Sequence, residues 1–180
     1  MPHHLAQYNR IVVIGTSGAG KTTFAGALAR ALSRPHVELD HLHWGPDWTI
    51  RSDFAQRVDA ATASEAWVVD GNYQTVRTLT WSRATAIVWL NLSFPVVFGR
   101  ALWRTLRRIV TREVVAGGRE RWSFLIARDG IPRWVLRTYS QRRREYPLLF
   151  ARPEFRHLQV FEVRTPREAA SLLATVERPR

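Results

Sequence analysis

Short apolar runs alternate along the chain with longer segments whose apolar residues recur every three to four positions. This is the pattern of buried strands separated by amphipathic helices. Arg10-Ile-Val-Val-Ile14 predicts a first strand, followed by a glycine-rich loop over 15–20 and an alanine-rich helix over Thr22–Leu32 that stops before Ser33-Arg34-Pro35. Val37-Glu-Leu39 predicts a second strand ending at Asp40, and Asp53–Ser64 a helix in which Asp53 and Gln56 are spaced as a capping box. Trp67-Val-Val69 predicts a third strand ending at Asp70-Gly71, and Ala86–Leu90 a fourth. Pro95–Arg112 reads as a long helix, with another from about Pro132 to Glu145 and a fifth strand over Leu158–Val163. Thr165-Pro166-Arg167-Glu168 then supplies an N-cap, an N1 proline and an N3 glutamate for a last helix. Strands separated by helices imply an α/β fold, a parallel sheet with helices on both faces and ligands at the carboxyl ends of the strands.

At 180 residues and 46% hydrophobic content, the chain is long enough for one domain with its own core. The absence of cysteine excludes disulfides, thiolate catalysis and cysteine-ligated zinc. The longest apolar candidate, Ala86–Gly99, is interrupted by Asn91, Ser93 and Pro95, so no membrane span is expected. Met1-Pro2-His3-His4 has no apolar signal core, and a cytoplasmic protein is expected.

Charge sharpens the picture. Lys and Arg together number 27 against 15 acids, for a formal net charge of +12; Lys21 is the sole lysine, leaving 26 arginines. In so arginine-biased a chain, the one ammonium marks a position where a guanidinium is a poor substitute. The excess is concentrated: residues 100–144 hold 13 arginines against Glu113, Glu120 and Asp129. That segment must face nucleotide phosphates, nucleic acid or water.

Gly15-Thr16-Ser17-Gly18-Ala19-Gly20-Lys21-Thr22 fits the P-loop pattern, with an apolar strand before it and a helix after. The glycines let successive backbone N–H groups turn inward around phosphate oxygens, and the helix that follows adds the positive end of its dipole. In this reading Lys21 bridges the β- and γ-phosphates of ATP, the Thr22 hydroxyl ligates Mg²⁺, and Thr23 continues the nucleotide-binding run. No Asn-Lys-x-Asp guanine motif can exist with a single lysine, and no Leu-Ser-Gly-Gly-Gln signature is present. The fourth strand ends in Asn91, so the second Mg²⁺-associated acid is Asp70 or Asp40.

Leu39-Asp40-His41-Leu42-His43-Trp44-Gly45-Pro46-Asp47-Trp48 and Trp67-Val-Val-Asp70-Gly71-Asn72-Tyr73 follow the P-loop in order. With these blocks and the arginine-rich segment behind them, the sequence resembles the DNA topology modulation proteins, among the small adenylate-kinase-like P-loop kinases. The resemblance runs from the first strand to at least Tyr146. It implies a three-layer fold with a five-stranded parallel sheet in order 2-3-1-4-5, an acceptor-binding insert at about 44–66 and an arginine lid at about 100–130, on a core formed by 10–94 and 155–180. It also likens Asp40 to the acid near the acceptor hydroxyl in shikimate and gluconate kinases, as a base or a ligand to Mg²⁺-bound water. Adenylate kinases end the third strand in Asp-Gly-Phe-Pro-Arg; here Asn72-Tyr73 follow and the Pro-Arg is missing, a departure that bears on AMP as acceptor.

Arg100, Arg104, Arg107 and Arg108 fall on one helical face, with Leu102, Leu106, Ile109 and Val110 assigned to the opposite stripe. Phosphoryl transfer is mainly positioning and charge neutralisation, so Arg104 and Arg108 are candidates to clamp the transferring group, with Arg100 and Arg112 on the nucleotide. Arg112, Arg119 and Arg121 around Gly117-Gly118 read as the mobile part of the lid. Arg164 and Pro166 resemble the adenine-side loop. His41 and His43 suit substrate contact or packing better than metal ligation, most tryptophans read as core, and Trp44 and Trp48 as walls of an acceptor pocket.

These residues predict an ATP- and Mg²⁺-dependent phosphotransferase acting on a small-molecule acceptor. The rivals are a nucleic-acid-associated ATPase, less favoured because no nucleic-acid module is visible, and an ATP-binding protein with little catalysis.

Overall fold

The computed structural model describes residues 4–111, 114–115, 118–119 and 131–177. The five apolar runs form β1 (Arg10–Gly15), β2 (His36–Glu38), β3 (Trp67–Asp70), β4 (Ala86–Leu90) and β5 (Gln159–Val163). All pair in parallel in one sheet of order β2-β3-β1-β4-β5, the order expected from the sequence. Among the described residues, seven α-helices surround it: α1 (Lys21–Ala31), α2 (Leu39–His43), α3 (Phe54–Ala61), α4 (Arg77–Arg83), α5 (Phe94–Thr111), α6 (Ile131–Phe150) and α7 (Pro166–Glu177). A short antiparallel hairpin pairs Val114–Val115 with Gly118–Arg119.

β1 is a continuous apolar run because both its faces are covered; Ile11, Val12, Val13 and Ile14 are each 1% exposed or less. Ile11, Val13, Val68 and Val88 meet Phe24 and Leu28 of α1, Val97 and Ala101 of α5, and Leu172 of α7. Val12, Ile14, Val69 and Ile87 meet Phe54 and Val58 of α3 and Trp81 of α4 on the other face. α6 belongs to both layers: Val135 joins the first cluster, while Tyr146 and Leu149 join the second. Between them, the Tyr139 hydroxyl donates to the Leu92 carbonyl at 3.1 Å and Arg142 Nη1 to the Gly15 carbonyl at 3.4 Å. α6 thus crosses the carboxyl edge of the sheet from one face to the other.

Several local expectations are corrected. β2 stops at Glu38, and Asp40 sits in the first turn of α2 instead of ending the strand. Asp53 does precede α3, but its side chain makes no cap; Arg57 Nε takes its carboxylate at 2.7 Å. α3 ends at Ala61, and Thr62 closes it by donating back to the Val58 carbonyl. The buried stripe of α5 is Val97, Ala101, Thr105 and Ile109, whereas Val110 is 71% exposed. Arg104 and Arg108 therefore flank the buried seam, while Arg100 and Arg107 are exposed. Trp67, Trp81 and Trp89 are core, but Trp103 is 63% exposed with Arg107 stacked on it. At the last helix the cap forms, with Glu168 N–H donating to Thr165 Oγ1 at 3.1 Å. Among the described residues no helix is long and apolar enough to cross a membrane.

Tyr146 is 1% exposed and lies against Trp81, Trp89 and Phe150. Tyr146→Ala is expected to lower the unfolding free energy by about 3–5 kcal/mol, the range for deleting a large buried aromatic. Chemical denaturation checks this, and a loss under about 1 kcal/mol would contradict the placement of α6.

Candidate functional site

β1 runs straight into the glycine-rich loop, whose Thr16 and Ala19 are buried and joined by an Ala19 N–H to Thr16 carbonyl bond of 3.0 Å. Gly18 has φ +89°, and a Cβ on it would collide with the Val97 carbonyl, so α5 presses directly on the loop. Gly20, also at φ +89°, is the N-cap of α1 and brings no side-chain cap. The orphan N–H groups at the start of this 11-residue helix are thus left without a side-chain acceptor, the usual anion-receiving arrangement.

Lys21 opens α1 with its Nζ 3.5 Å from the Thr16 carbonyl. Its pKa falls to about 8, first because the ammonium is desolvated and next because of the charge of Arg142; Asp40 and Asp70 oppose the shift and Arg104 adds to it. Both acids proposed from the sequence therefore act on the P-loop lysine. The Thr22 hydroxyl donates to Asp70 Oδ1 at 3.3 Å, and Asp70 is only 2% exposed. A hydroxyl beside one carboxylate oxygen suits a small hard cation that keeps other ligands for phosphate and water. Among the described residues there is no cluster of three acidic or imidazole side chains that could cage a metal alone.

Asp40 faces the Tyr73 hydroxyl, which donates to its Oδ1 at 2.7 Å. Burial, then the neighbouring Asp40 charge, pushes the Tyr73 pKa up, so the phenol stays a donor. The His43 ring packs between Trp44 (4.6 Å), Phe54 (4.7 Å) and Tyr73 (4.3 Å), and this burial lowers its pKa against the pull of Asp40. Trp44 meets Trp48 edge-on at 5.6 Å in a loop where both Asp47 (φ 51°) and Trp48 (φ 61°) adopt left-handed backbone. The loop 44–48 thus stands beside Asp40 with its indoles gathered. His41 is exposed and pairs with Glu38 at 3.0 Å.

The α5 arginines divide. Arg104 Nη2 donates to Ser17 Oγ at 3.3 Å, and Arg100 reaches over the loop, its Nη1 3.7 Å from where a Cβ on Gly20 would stand. Arg108 lies half-buried beside Ile109, and Arg107 turns away onto Trp103 at 5.7 Å. Thr23 is exposed on the first turn of α1. Arg164 pairs with Glu162 at 2.9 Å, and Glu162 also accepts from Asn91 Nδ2 at 2.6 Å. Arg112, Gly117 and Arg121 lie outside the described residues, as does the side chain of Arg119.

Two contacts with the glycine loop escape sequence reasoning. Arg142 arrives from α6, 127 residues beyond its Gly15 partner, and only its place in an Arg-Arg-Arg run hints at it. Asn72 does what a strand residue would: its Oδ1 accepts the Gly15 N–H at 3.3 Å, and its Nδ2 donates to the Gly15 carbonyl. Gly71 at φ +140° gives the turn that aims it.

No family model and no curated protein sequence matches the chain. Solved structures do. A gluconokinase from Sinorhizobium meliloti 1021 is 22% identical, with 94% of this chain and 93% of that one covered at a TM-score of 0.50. A shikimate kinase from Acinetobacter baumannii in complex with shikimate is 16% identical over 93% and 90%, with a TM-score of 0.56. The shikimate kinase of Bacteroides thetaiotaomicron is 17% identical over 94% and 97%, with a TM-score of 0.51. The fold is that of the small P-loop kinases. The narrower likeness to DNA topology modulation proteins rests on the sequence blocks alone.

Gly18→Ala forces both a left-handed alanine and a clash with α5, and is expected to cost about 2 kcal/mol or more. Urea unfolding checks it; an unchanged midpoint would contradict the close approach of α5 to the loop.

Proposed function

We propose that the chain is an ATP- and Mg²⁺-dependent phosphotransferase that moves the γ-phosphate to a hydroxyl of a small molecule. The reading is carried by one observation: the glycine loop runs into α1 at Lys21 and Thr22, and the Thr22 hydroxyl donates to the buried Asp70 at 3.3 Å while both Asp70 and Asp40 act on the Lys21 charge. In a loop built for phosphate this gathers the nucleotide site, a cation site and a carboxylate on a shared centre. The loop N–H groups and Lys21 hold the polyphosphate, Thr22 and Asp70 suit Mg²⁺, and Asp40 orients the acceptor hydroxyl and receives its proton. Bound Mg²⁺ would neutralise phosphate charge there. Arg104, Arg142 and Arg100 lie where they can follow the phosphates, and Arg108 and Arg112 are further candidates of the same segment.

The aromatic loop 44–48 beside Asp40 is the natural acceptor wall. Gluconokinase and shikimate kinase among the structural neighbours support an alcohol as acceptor. A panel of gluconate, shikimate, nucleosides and nucleoside monophosphates, incubated with γ-labelled ATP, identifies it by where the label goes. Lys21→Ala is expected to abolish transfer. Asp40→Asn should still bind ATP yet transfer at least about a hundredfold more slowly, the usual contribution of a positioned base. Undiminished turnover in either variant would refute the assignment.

The Lys21 shift gives a pH test with a definite sign. Bound polyphosphate favours the ammonium and raises its pKa above 8, so the complex holds more protons than the free protein above that pH. ATP affinity should be flat from pH 7 to 8 and then fall with rising pH, approaching about tenfold per unit. Calorimetry at pH 8.5 in buffers of different ionisation enthalpy should report proton uptake; none would show that Lys21 does not carry the linkage.

A second reading, as a nucleic-acid-associated ATPase, is favoured by exposed Trp103 and Trp134, each stacked by an arginine, on the strongly basic segment. It predicts single-strand binding that weakens steeply with salt, measured by fluorescence anisotropy.

A further inference from the structure

Asp70 has a partner that phosphate chemistry does not require. In the parallel register His36 stands opposite Val68 and Glu38 opposite Asp70, so the side chains of all three polar residues emerge on the same face of the sheet. His36 Nε2 lies 2.8 Å from Asp70 Oδ2, and a carboxylate only accepts, so Nε2 carries the hydrogen. The other oxygen, Oδ1, accepts from Thr22. The imidazole lies against α1 at Gly26, where a Cβ would make ordinary contact with His36 Nδ1 at 3.5 Å. That Nδ1 in turn faces Glu38 Oε1 at 3.8 Å.

The two oxygens of Asp70 are therefore committed differently. His36 fixes the carboxylate plane and occupies Oδ2, so a single oxygen is turned toward Thr22 and the start of α1. A small octahedral cation is satisfied by one carboxylate oxygen alongside a hydroxyl, phosphate and water, whereas a larger cation gains from a carboxylate that offers both oxygens. Without His36, a nearly fully buried carboxylate would be free to turn about its last torsion and present both.

We infer that His36 is a positioning residue that keeps Asp70 a one-oxygen acceptor and thereby favours Mg²⁺ over Ca²⁺ beside the bound nucleotide. The inference rests on the nucleotide-binding reading of the P-loop. Its measurement is ATP binding, read by a fluorescent ATP analogue during titration with Mg²⁺ or Ca²⁺ against a chelator baseline. The variants are His36→Ala, His36→Phe, which keeps ring volume without the hydrogen bond, and His36→Gln, whose amide can replace the donor.

In wild type, Mg²⁺ should tighten ATP binding at lower concentration than Ca²⁺. His36→Ala and His36→Phe should raise the Mg²⁺ concentration for half-effect by about tenfold, as loss of a partner behind a metal ligand commonly does, and should narrow the preference over Ca²⁺. His36→Gln should recover most of both. In an Asp70→Asn background, His36→Phe should change nothing further, whereas a merely structural histidine would act equally in both backgrounds. Should His36→Ala unfold, as a thermal melt would reveal, the Phe and Gln variants carry the comparison. A folded His36→Phe variant with wild-type Mg²⁺ and Ca²⁺ titrations overturns the role of His36 and leaves the nucleotide reading standing. A wild-type chain that binds no ATP with or without Mg²⁺ overturns the nucleotide reading itself.

Discussion

The site is organised by an ammonium that has been taken out of water without full compensation. Two carboxylates, Asp40 and Asp70, support the charge of Lys21, while Arg142 and Arg104 work against it. Desolvation and the arginines prevail, as the fall to about 8 shows. A pocket with that balance is short of negative charge, and a polyphosphate chain presented to the loop N–H groups supplies it. An arginine in place of Lys21 would not relieve the imbalance, since a guanidinium keeps its charge and its broad fork does not fit where a compact point charge is wanted. In a chain with 26 arginines, the one lysine stands where the glycine loop meets α1.

Four consecutive residues transmit this constraint to the rest of the site. Asp70 receives Thr22 from α1, Asn72 binds both backbone groups of Gly15, and Tyr73 donates to Asp40. The glycine loop, the Thr22–Asp70 pair and Asp40, to which the proposal gives nucleotide, cation and acceptor, are thus referenced to one short stretch leaving β3, anchored by a strand buried along its whole length. Catalysis by positioning depends on such shared references, because errors between separately mounted groups would add. The turn at Gly71 permits the arrangement, since a Cβ there would meet the Leu39 side chain at 2.7 Å.

What could be read in the sequence was whatever local spacing determines. The P-loop is contiguous, and five apolar runs separated by helical periodicity give the parallel sheet with little ambiguity. Asp40 and Asp70 were legible as acids near strand ends, although β2 closes early and α2 takes over at Leu39. The partners of these residues were not legible. His36 meets Asp70 from 34 positions away and Asn72 meets Gly15 from 57, distances over which no periodicity carries information. The buried stripe of α5 was misassigned for a related reason. The helix carries apolar residues almost all round, and the close approach of Val97 to Gly18, a tertiary contact, selects which of them go inward. The capping residue of α3 was likewise diverted by an ion pair with Arg57 that spacing alone does not rank above a cap.

Arg142 shows how the fold and the chemistry divide their tasks. Its hydrogen bond to the Gly15 carbonyl is long, at 3.4 Å, and a contact of that quality contributes about 1 kcal/mol at most. What holds α6 across the sheet edge is apolar burial on either side, Val135 in one layer and Tyr146 and Leu149 in the other, each worth about 2 kcal/mol or more. The guanidinium is thus delivered by the helix and not by its own bond. It can exchange the carbonyl for a phosphate oxygen at small cost to the fold while gaining a stronger, charge-assisted partner. Arg104 is mounted in the same way, on a helix fixed by Val97, Ala101 and Ile109, with its head reaching the Ser17 hydroxyl. Cations mounted on firmly packed helices would suit the proposed phosphoryl transfer, because their heads can follow charge as it moves without the scaffold having to move with them.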